Sequence, residues 1–293
     1  MDPVAALGDD RRVEAVPDIF ESELDRAEFK RPHRRGVELY RAHIVCHAFD
    51  PHTHGAYGIG TVVEGVERFR YRGADYLAAP GSLILMNPDV LHTGRAATDT
   101  GWRYRMVYLD EATLRLITGS EPWHFAEPVA RDADAAVRVN ALLKGLWNSS
   151  EPLAIDSALY EVVQTLRPHA RSAEPELSRR RVDAALDRPV ELMQAHLDES
   201  LTLERLAAAA GLSPFHFLRR FKAHHHATPQ QMLMALRLHR AKLRLGEGVA
   251  PAEVALEVGL VDQAHLTRRF VRMYGVTPAR YQQQLGTRPR RSR

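Results

Sequence analysis

Cysteine is almost absent from this sequence, since Cys46 is the only one in 293 residues. A single cysteine excludes an internal disulfide and a cysteine-based zinc cluster, and it fits a reducing compartment. Long apolar runs are also missing, because no uninterrupted stretch approaches the ~18 residues of a membrane-spanning helix. The segment Met1–Arg12 is acidic and poor in apolar residues, so we expect no signal peptide. We therefore expect a cytoplasmic protein without membrane contact, in which Cys46 is a small buried residue.

Charge is distributed unevenly along the chain. From Ser178 to the C-terminus there are 20 Lys and Arg against 10 Asp and Glu, a net charge of +10. The first 177 residues carry 20 against 27, a net charge of −7, and the two values add to the +3 of the whole chain. A basic module joined to an acidic one indicates that the C-terminal part meets a polyanion.

The spacing of apolar residues divides the chain into two domains. Short β-branched and aromatic runs alternate with turn residues from Val37 to about Glu127, which is typical of a sandwich or small barrel. Apolar residues then recur at helical spacing up to about Arg167. We expect an N-terminal arm at 1–36, a β domain with following helices at 37–167, a linker at 168–186, a helical domain at 187–285 and a basic tail at 286–293.

An internal repeat lies in the basic part of the chain. Leu206-Ala-Ala-Ala-Ala-Gly-Leu212 corresponds to Val254-Ala-Leu-Glu-Val-Gly-Leu260, and Arg219-Arg220-Phe221 corresponds to Arg268-Arg269-Phe270. In each copy a glycine, Gly211 or Gly259, can adopt the left-handed conformation that ends a helix and begins a tight turn. The repeat therefore predicts two helix-turn-helix units. The amphipathic stretch 230–245 between them predicts one linker helix.

The second helix of each unit has separate apolar and polar faces. Phe217 and Phe221 are four residues apart and are expected to face the core. On the opposite face an arginine can donate two hydrogen bonds to guanine in the major groove, and a glutamine can pair with adenine. This face includes Phe215, Arg219, Lys222, Gln263, Thr267 and Arg268. Solvated polar residues on ordinary helices are the alternative interpretation, and two copies in register within the basic part of the chain argue against it.

The stretch 252–281 resembles the DNA-binding domain of AraC/XylS-type transcription regulators, and the similarity extends over 187–285. The resemblance implies base-reading or phosphate-contacting roles for Phe215, His216, Arg219, Gln263, His265, Thr267 and Arg268. Two positions depart from the family pattern. Leu260 stands where the family usually has phenylalanine, and His226 stands where the second copy keeps Gly275. We therefore expect a changed exit turn in the first unit.

Several histidines fall in the β-rich part of the chain. His52-Thr-His54, followed by His92, resembles the metal motif of cupin barrels, and the surrounding residues resemble the sensor barrel of AraC-type regulators. Cupin enzymes normally add a glutamate after the second histidine, where this chain has Gly58 and Ile59. We therefore expect these histidines to line a ligand pocket or bond backbone groups, with no metal or other cofactor. Three neutral imidazoles could still take Zn, Fe or Ni.

The resemblance implies that a small-molecule effector binds inside the barrel. Alternation alone does not decide which side chains of the strands face the interior. The residues expected to contact the effector are His52, His54, Arg68, Tyr71, His92, Trp102 and Tyr104.

The sequence therefore predicts an α+β protein of two domains, a cupin-like β-barrel with following helices and an all-α domain of two helix-turn-helix units. The predicted function is that of a sequence-specific transcription regulator, not an enzyme. Its predicted partners are double-stranded promoter DNA, a small effector and a second copy of the chain held through helices at 130–167, with RNA polymerase as a further candidate. The alternatives are a cupin metalloenzyme, such as a dioxygenase or isomerase, with an appended helical domain, and a protein-interaction adaptor.

Overall fold

The structure is a computed structural model that describes residues 23–119, 123–172 and 180–287. The strands are β1 (Arg26–Lys30), β2 (Val37–Ile44), β3 (Ala48–His52), β4 (Tyr57–Gly65), β5 (Glu67–Tyr71), β6 (Ala74–Ala78), β7 (Ser82–Met86), β8 (His92–Ala96), β9 (Trp102–Leu109), β10 (Trp123–His124), β11 (Val129–Arg131) and β12 (Arg171–Ser172). They form a six-stranded sheet in the order β1-β2-β9-β4-β7-β11, a four-stranded sheet in the order β3-β8-β5-β6, and the small pair β10-β12. All neighbouring strands among the described residues are antiparallel.

The helices of the described residues follow the β-rich part, apart from one short helix between β9 and β10. They are α1 (Glu111–Thr118), α2 (Ala133–Asn148), α3 (Pro152–Leu166), α4 (Arg180–Ala195), α5 (Leu203–Ala209), α6 (Pro214–His225), α7 (Pro229–Gly246), α8 (Pro251–Glu257), α9 (Gln263–Tyr274) and α10 (Pro278–Gln284). The pairs α5-α6 and α8-α9 are the two helix-turn-helix units, and α7 is the linker helix. The predicted class, a β-rich domain followed by a helical domain, is confirmed.

The turns of the two units have the conformations that their sequences predict. Gly211 and Gly259 have φ angles of 65° and 69°, in the left-handed region that glycine adopts most easily. The carboxylate of Asp262 accepts a hydrogen bond from the backbone N–H of His265 at 2.6 Å and so caps α9. Ser213 occupies the matching position before α6, but its hydroxyl makes no capping hydrogen bond.

The exit turn of the first unit is not changed, contrary to the expectation from His226. This residue has φ 55° and ψ 19°, close to the φ 72° and ψ 11° of Gly275 in the second unit. A side chain in this region costs about 1–2 kcal/mol relative to the right-handed conformation. The first unit therefore keeps the turn geometry of the second at the expense of local backbone strain.

The N-terminal arm was predicted too long, because its described part contains strand β1. Arg26–Lys30 pairs with β2 at the edge of the larger sheet. Ala27 and Phe29 point inward and are buried, whereas charged residues occupy the alternate positions. Two apolar residues among many charges are too short a pattern to predict a strand. Residues 1–22 lie outside the described part of the chain.

The structure can be compared with three further predictions, which concern the linker, the basic tail and Cys46. The linker was predicted to reach residue 186, but β12 lies within it and α4 begins at Arg180; residues 173–179 are not described. Of the basic tail, only residues 286 and 287 are described. Cys46 is exposed rather than buried, because the strand ends at Ile44 and Cys46 falls in the turn that follows.

The second helix-turn-helix unit shares a core with the β domain. Buried residues from both sheets, including Tyr40 of the larger and Phe69 of the smaller, form one cluster with Phe270 and Tyr281 of the helical domain. The opposite face of the larger sheet packs under α2 and α3 in a second cluster. The first unit has a separate core around Phe217 and Phe221. The two units therefore differ in their attachment to the rest of the molecule.

A hydrogen-bonded side chain closes the edge of the larger sheet at this junction. The side-chain amide of Gln284, at the end of α10, accepts a hydrogen bond from the backbone N–H of Phe29 at 2.9 Å and donates one to the carbonyl of Ala27 at 3.1 Å. An edge strand normally leaves such groups unpaired. The helical domain thus pairs two backbone groups of β1.

A buried ion pair lies at the centre of the same junction. The ammonium of Lys242 on α7 donates a hydrogen bond to the carboxylate of Glu38 on β2, and both side chains are about nine-tenths buried. Tyr281 donates a second hydrogen bond to this carboxylate at 2.8 Å, and Arg31 lies 3.3 Å away. Burial alone would raise the pKa of Glu38, but Lys242, Arg31 and the hydrogen bonds together lower it. Burial lowers the pKa of Lys242.

We predict that Lys242→Met lowers the free energy of unfolding by about 3 kcal/mol, because it leaves the Glu38 carboxylate buried with fewer partners. The double variant Glu38→Gln/Lys242→Met should recover much of that loss, since no uncompensated charge remains. Urea denaturation of the full chain measures all three proteins. The control is Arg115→Met, whose exposed partner is Glu111 and whose loss should cost less than about 0.5 kcal/mol. Equal losses in Lys242→Met and Arg115→Met would contradict the prediction.

Candidate functional site

The predicted DNA-facing residues lie on the two second helices, α6 and α9. In α6, Phe215, His216, Arg219 and Lys222 are all exposed, and the side chain of Phe215 is 86% accessible. In α9, Gln263 and Arg268 are exposed, while His265 and Thr267 are partly buried.

Internal hydrogen bonds hold two of these residues. The Thr267 hydroxyl donates to the carbonyl of Gln263 at 2.9 Å, one turn earlier on the helix. The Nε2 atom of His265 accepts a hydrogen bond from Arg269 at 3.4 Å. Burial, with Arg269 and Arg268 nearby, lowers the pKa of His265, so this ring is largely neutral at pH 7.

The described residues enclose a cavity between the two sheets. Its volume is about 40 Å³, which is far below the ~300–1,000 Å³ of pockets for drug-sized molecules. Four predicted effector residues line it: His52, His54, His92 and Tyr104. The structure therefore brings together the three histidines of the motif although 40 residues separate His52 from His92.

Two other predicted effector residues are buried outside the lining of the cavity. Tyr71 and Trp102 each have 1% of their surface exposed. The Tyr71 hydroxyl accepts hydrogen bonds from the backbone N–H and the side-chain amide of Asn87 at 3.2 and 3.1 Å. Trp102 stacks on Tyr104 with ring centroids 5.5 Å apart. Both residues therefore support the wall of the cavity from behind.

Arg68 was predicted to face the interior, but the structure places it on the outer surface. Its side chain is half exposed and lies 3.6 Å from Asp75. Residues 67, 69 and 71 of β5 are buried and residues 68 and 70 are exposed. Because side chains alternate along a strand, Arg68 and Tyr71 cannot both point inward.

The inward face of β5 supplies a residue that the sequence analysis missed. Glu67 lines the cavity, is 7% exposed, and has one carboxylate oxygen without a hydrogen-bond partner. Burial raises its pKa to about 8. Alternation with Phe69 and Tyr71 is the signal that could have identified it. At pH 7 the cavity therefore contains a protonated carboxyl group that can donate a hydrogen bond.

Two residues of the helical domain also line the cavity. Met273 and Tyr274, at the end of α9, lie against it. The ring centroid of Tyr274 is 6.4 Å from those of His52 and His54, and its buried hydroxyl has no hydrogen-bond partner. The helix that carries Gln263 and Arg268 on its exposed face thus closes the cavity with its last turn.

A larger cleft adjoins this cavity at His54 and Tyr108, which line both. Its volume is about 590 Å³, and it lies between the β domain and α7. The basic residues Arg31, Arg34, Arg35 and Lys242 outnumber the acidic residues Glu38 and Asp110 in its wall, a net charge of 4 − 2 = +2. No helix of the described residues is long and apolar enough to cross a bilayer.

Comparison with known proteins agrees with this arrangement. Residues 35–163 match the family described as AraC-like ligand binding domain, and residues 206–284 match a helix-turn-helix domain family. The HTH-type transcriptional regulator YbfI of Bacillus subtilis is 26% identical over 78% of this chain and 86% of its own length. The MmsAB operon regulatory protein of Pseudomonas aeruginosa is 37% identical over 32% of this chain and 31% of its own length.

Solved structures share the whole architecture. The apo structure of a ToxT variant from Vibrio cholerae has a TM-score of 0.56 at 8% identity and covers 87% of this chain and 100% of its own. Wild-type ToxT bound to an unsaturated fatty acid has a TM-score of 0.54 at 10% identity, over 87% of this chain and 96% of its own. At these identities the likeness shows the fold alone. From the two matched families and their order along the chain, we conclude that the chain belongs to the AraC family of transcription regulators, with an N-terminal ligand-binding domain and a C-terminal DNA-binding domain.

Proposed function

We propose that this regulator reads promoter DNA with the exposed faces of α6 and α9. The observation that carries the proposal is the matched exposure of Arg219 and Arg268 at equivalent positions of two repeated helices. Arg219 and Arg268 would read base edges, together with Gln263 and the other predicted contacts, namely Phe215, His216, Lys222, His265 and Thr267. Reading two major-groove segments from one chain requires the recognition helices to lie about one helical turn of DNA apart. The chain would act where its promoter lies, in the cytoplasm.

The relatives named above are transcription regulators, so we propose a regulator without enzymatic activity in preference to the metalloenzyme alternative. We also infer that the chain forms a homodimer through α2 and α3. Leu153 and Tyr160 of α3 are seven residues apart and therefore on one face of the helix. They are 72% and 50% exposed, and sedimentation equilibrium of the full chain would show twice its 33.0 kDa mass. A dimer bound at the promoter would then be positioned to contact RNA polymerase.

We predict that Arg268→Ala relaxes base preference at one position of the operator and weakens binding there by about 1–3 kcal/mol. The physical reason is the loss of a bidentate contact to one base. Selection of duplexes from a random pool, followed by titration of the selected site, gives both quantities for wild type and variant. The control is Arg115→Ala on α1, which removes an exposed arginine far along the chain from the repeat. Unchanged affinity and unchanged base preference in Arg268→Ala would contradict the assignment.

The effector that fits the structure is an anionic small molecule in the cleft between the domains. The interior cavity holds too little space for an organic effector, whereas the adjoining cleft is of the usual size and carries a net positive charge. The fatty acid in the ToxT structure also carries a carboxylate. His54, Tyr108 and Lys242 would contact a ligand in this cleft. Three of the residues predicted to contact the effector, His52, His92 and Tyr104, would instead lie in the cavity behind His54 and Tyr108 and support them.

We predict that carboxylic acids raise the melting temperature of the protein more than their neutral counterparts do. Matched pairs such as benzoate and benzamide, or octanoate and methyl octanoate, separate charge from shape. Arg35→Met should weaken the response to the acids, because Arg35 lines the cleft and is exposed, and Arg115→Met should leave it unchanged. Equal shifts from acids and neutral partners, or no shift from any acid, would contradict an anionic effector.

A further inference from the structure

We propose that His52, His54 and His92 form a binding site for one divalent transition-metal ion of the zinc class. One ring nitrogen from each residue lies within 4.8 Å of the other two. All three rings are at least nine-tenths buried. Imidazole nitrogen is a ligand for Zn, Cu, Fe and Ni, and three protein ligands with a fourth open position are a common arrangement for zinc.

Backbone carbonyls orient two of the three rings. The Nδ1 atom of His52 donates to the carbonyl of Asp50 at 2.8 Å, and that of His92 donates to the carbonyl of Val90 at 2.9 Å. A carbonyl oxygen can only accept, so each Nδ1 carries the proton and each Nε2 keeps a lone pair. Metal-binding histidines are fixed by the same type of second hydrogen bond. The sequence led us to expect hydrogen bonds between these histidines and backbone groups. In His52 and His92 those bonds orient the rings so that they can bind a cation.

Unpaired polar atoms surround the cluster. The Nε2 atom of His54 and the hydroxyl of Tyr274 are buried and have no hydrogen-bond partner. Each such atom costs about 1–3 kcal/mol when it stays unpaired. A metal ion would bind the His54 nitrogen directly, and a water on its open position would give the Tyr274 hydroxyl a partner. One ion thus accounts for both atoms.

The space in the cavity suits a hydrated ion. The volume of about 40 Å³ corresponds to a few water-sized spheres of about 10–15 Å³ each. Glu67 lies in the same wall but on a different strand from the glutamate of the cupin motif, and its carboxyl group is not one of the three ligands.

The ion would also link the two domains. His52, His54 and His92 belong to the β domain, whereas Tyr274 is the last residue of α9. Metal occupancy would therefore add a contact between the ligand-binding domain and the second helix-turn-helix unit. The site shares His54 with the wall of the cleft in which we place the effector, and its test contains neither effector nor DNA.

Cobalt(II) titration of the full chain, purified without a histidine tag and treated with chelator, tests the proposal. We expect one equivalent of Co²⁺ to bind and to produce visible d–d absorption typical of a four- or five-coordinate site, and Zn²⁺ to displace it. Metal analysis after dialysis against Zn²⁺ should give one ion per chain at this site. No visible absorption and no retained metal in the folded wild-type protein would overturn the proposal.

Variants locate the ion. His92→Gln and His54→Gln should each weaken Co²⁺ binding more than about 100-fold, since loss of a ligand exceeds the ~10–100-fold cost of an outer-shell change. The control is His224→Gln, because Asp187, His224 and His225 form a second, more exposed group of ligand atoms. Co²⁺ absorption that survives His92→Gln but disappears in His224→Gln would contradict the assignment. Circular dichroism checks that each variant is folded, and the wild-type titration decides the proposal if one is not.

Discussion

The buried pair of Glu38 and Lys242 is the interaction on which the arrangement of the two domains depends. These residues are 204 positions apart in the chain, and either charge would be costly to bury in this place without the other. Tyr281 and Arg31 satisfy the remaining oxygen of the carboxylate, and the ammonium group lies 4.6 Å from the centroid of the Phe29 ring. Such a pair adds little net stability compared with apolar residues, but it strongly favours one relative position of β2, α7 and α10.

This constraint makes the two helix-turn-helix units unequal. The second unit shares its core with the β domain, and its α9 closes the cavity through Tyr274. The first unit has its own core and meets the β domain where His226 packs over Gly73, at which a Cβ atom would come within 2.6 Å of the histidine ring. A ligand in the cavity would touch the second unit through Met273 and Tyr274, whereas a ligand in the cleft would touch the linker helix α7. An effector can regulate the protein only if it binds two arrangements of the second unit with different affinities.

Local patterns predicted the repeated units well, because caps, left-handed glycines and apolar spacing act within a few residues. They also placed Gly211, Gly259 and the linker helix correctly. Strand faces were harder, since Arg68 and Tyr71 were both assigned to the interior although alternation allows only one. Strand β1 was missed because it carries only two apolar residues. Glu38, Lys242 and Tyr274 could not be identified from the sequence, because their roles arise from contacts between distant segments.

Because they share one core, we expect the second helix-turn-helix unit and the β domain to unfold as one cooperative structure. Native-state hydrogen exchange at increasing urea concentrations tests it most directly, since it reports which segments open together. We expect the amides of α9 and α10 to become exchangeable in the same opening, with the same free energy, as those of β2 and β9, and α6 to open separately. Exchange of α9 and α10 together with α6, while β2 and β9 stay protected, would contradict the account.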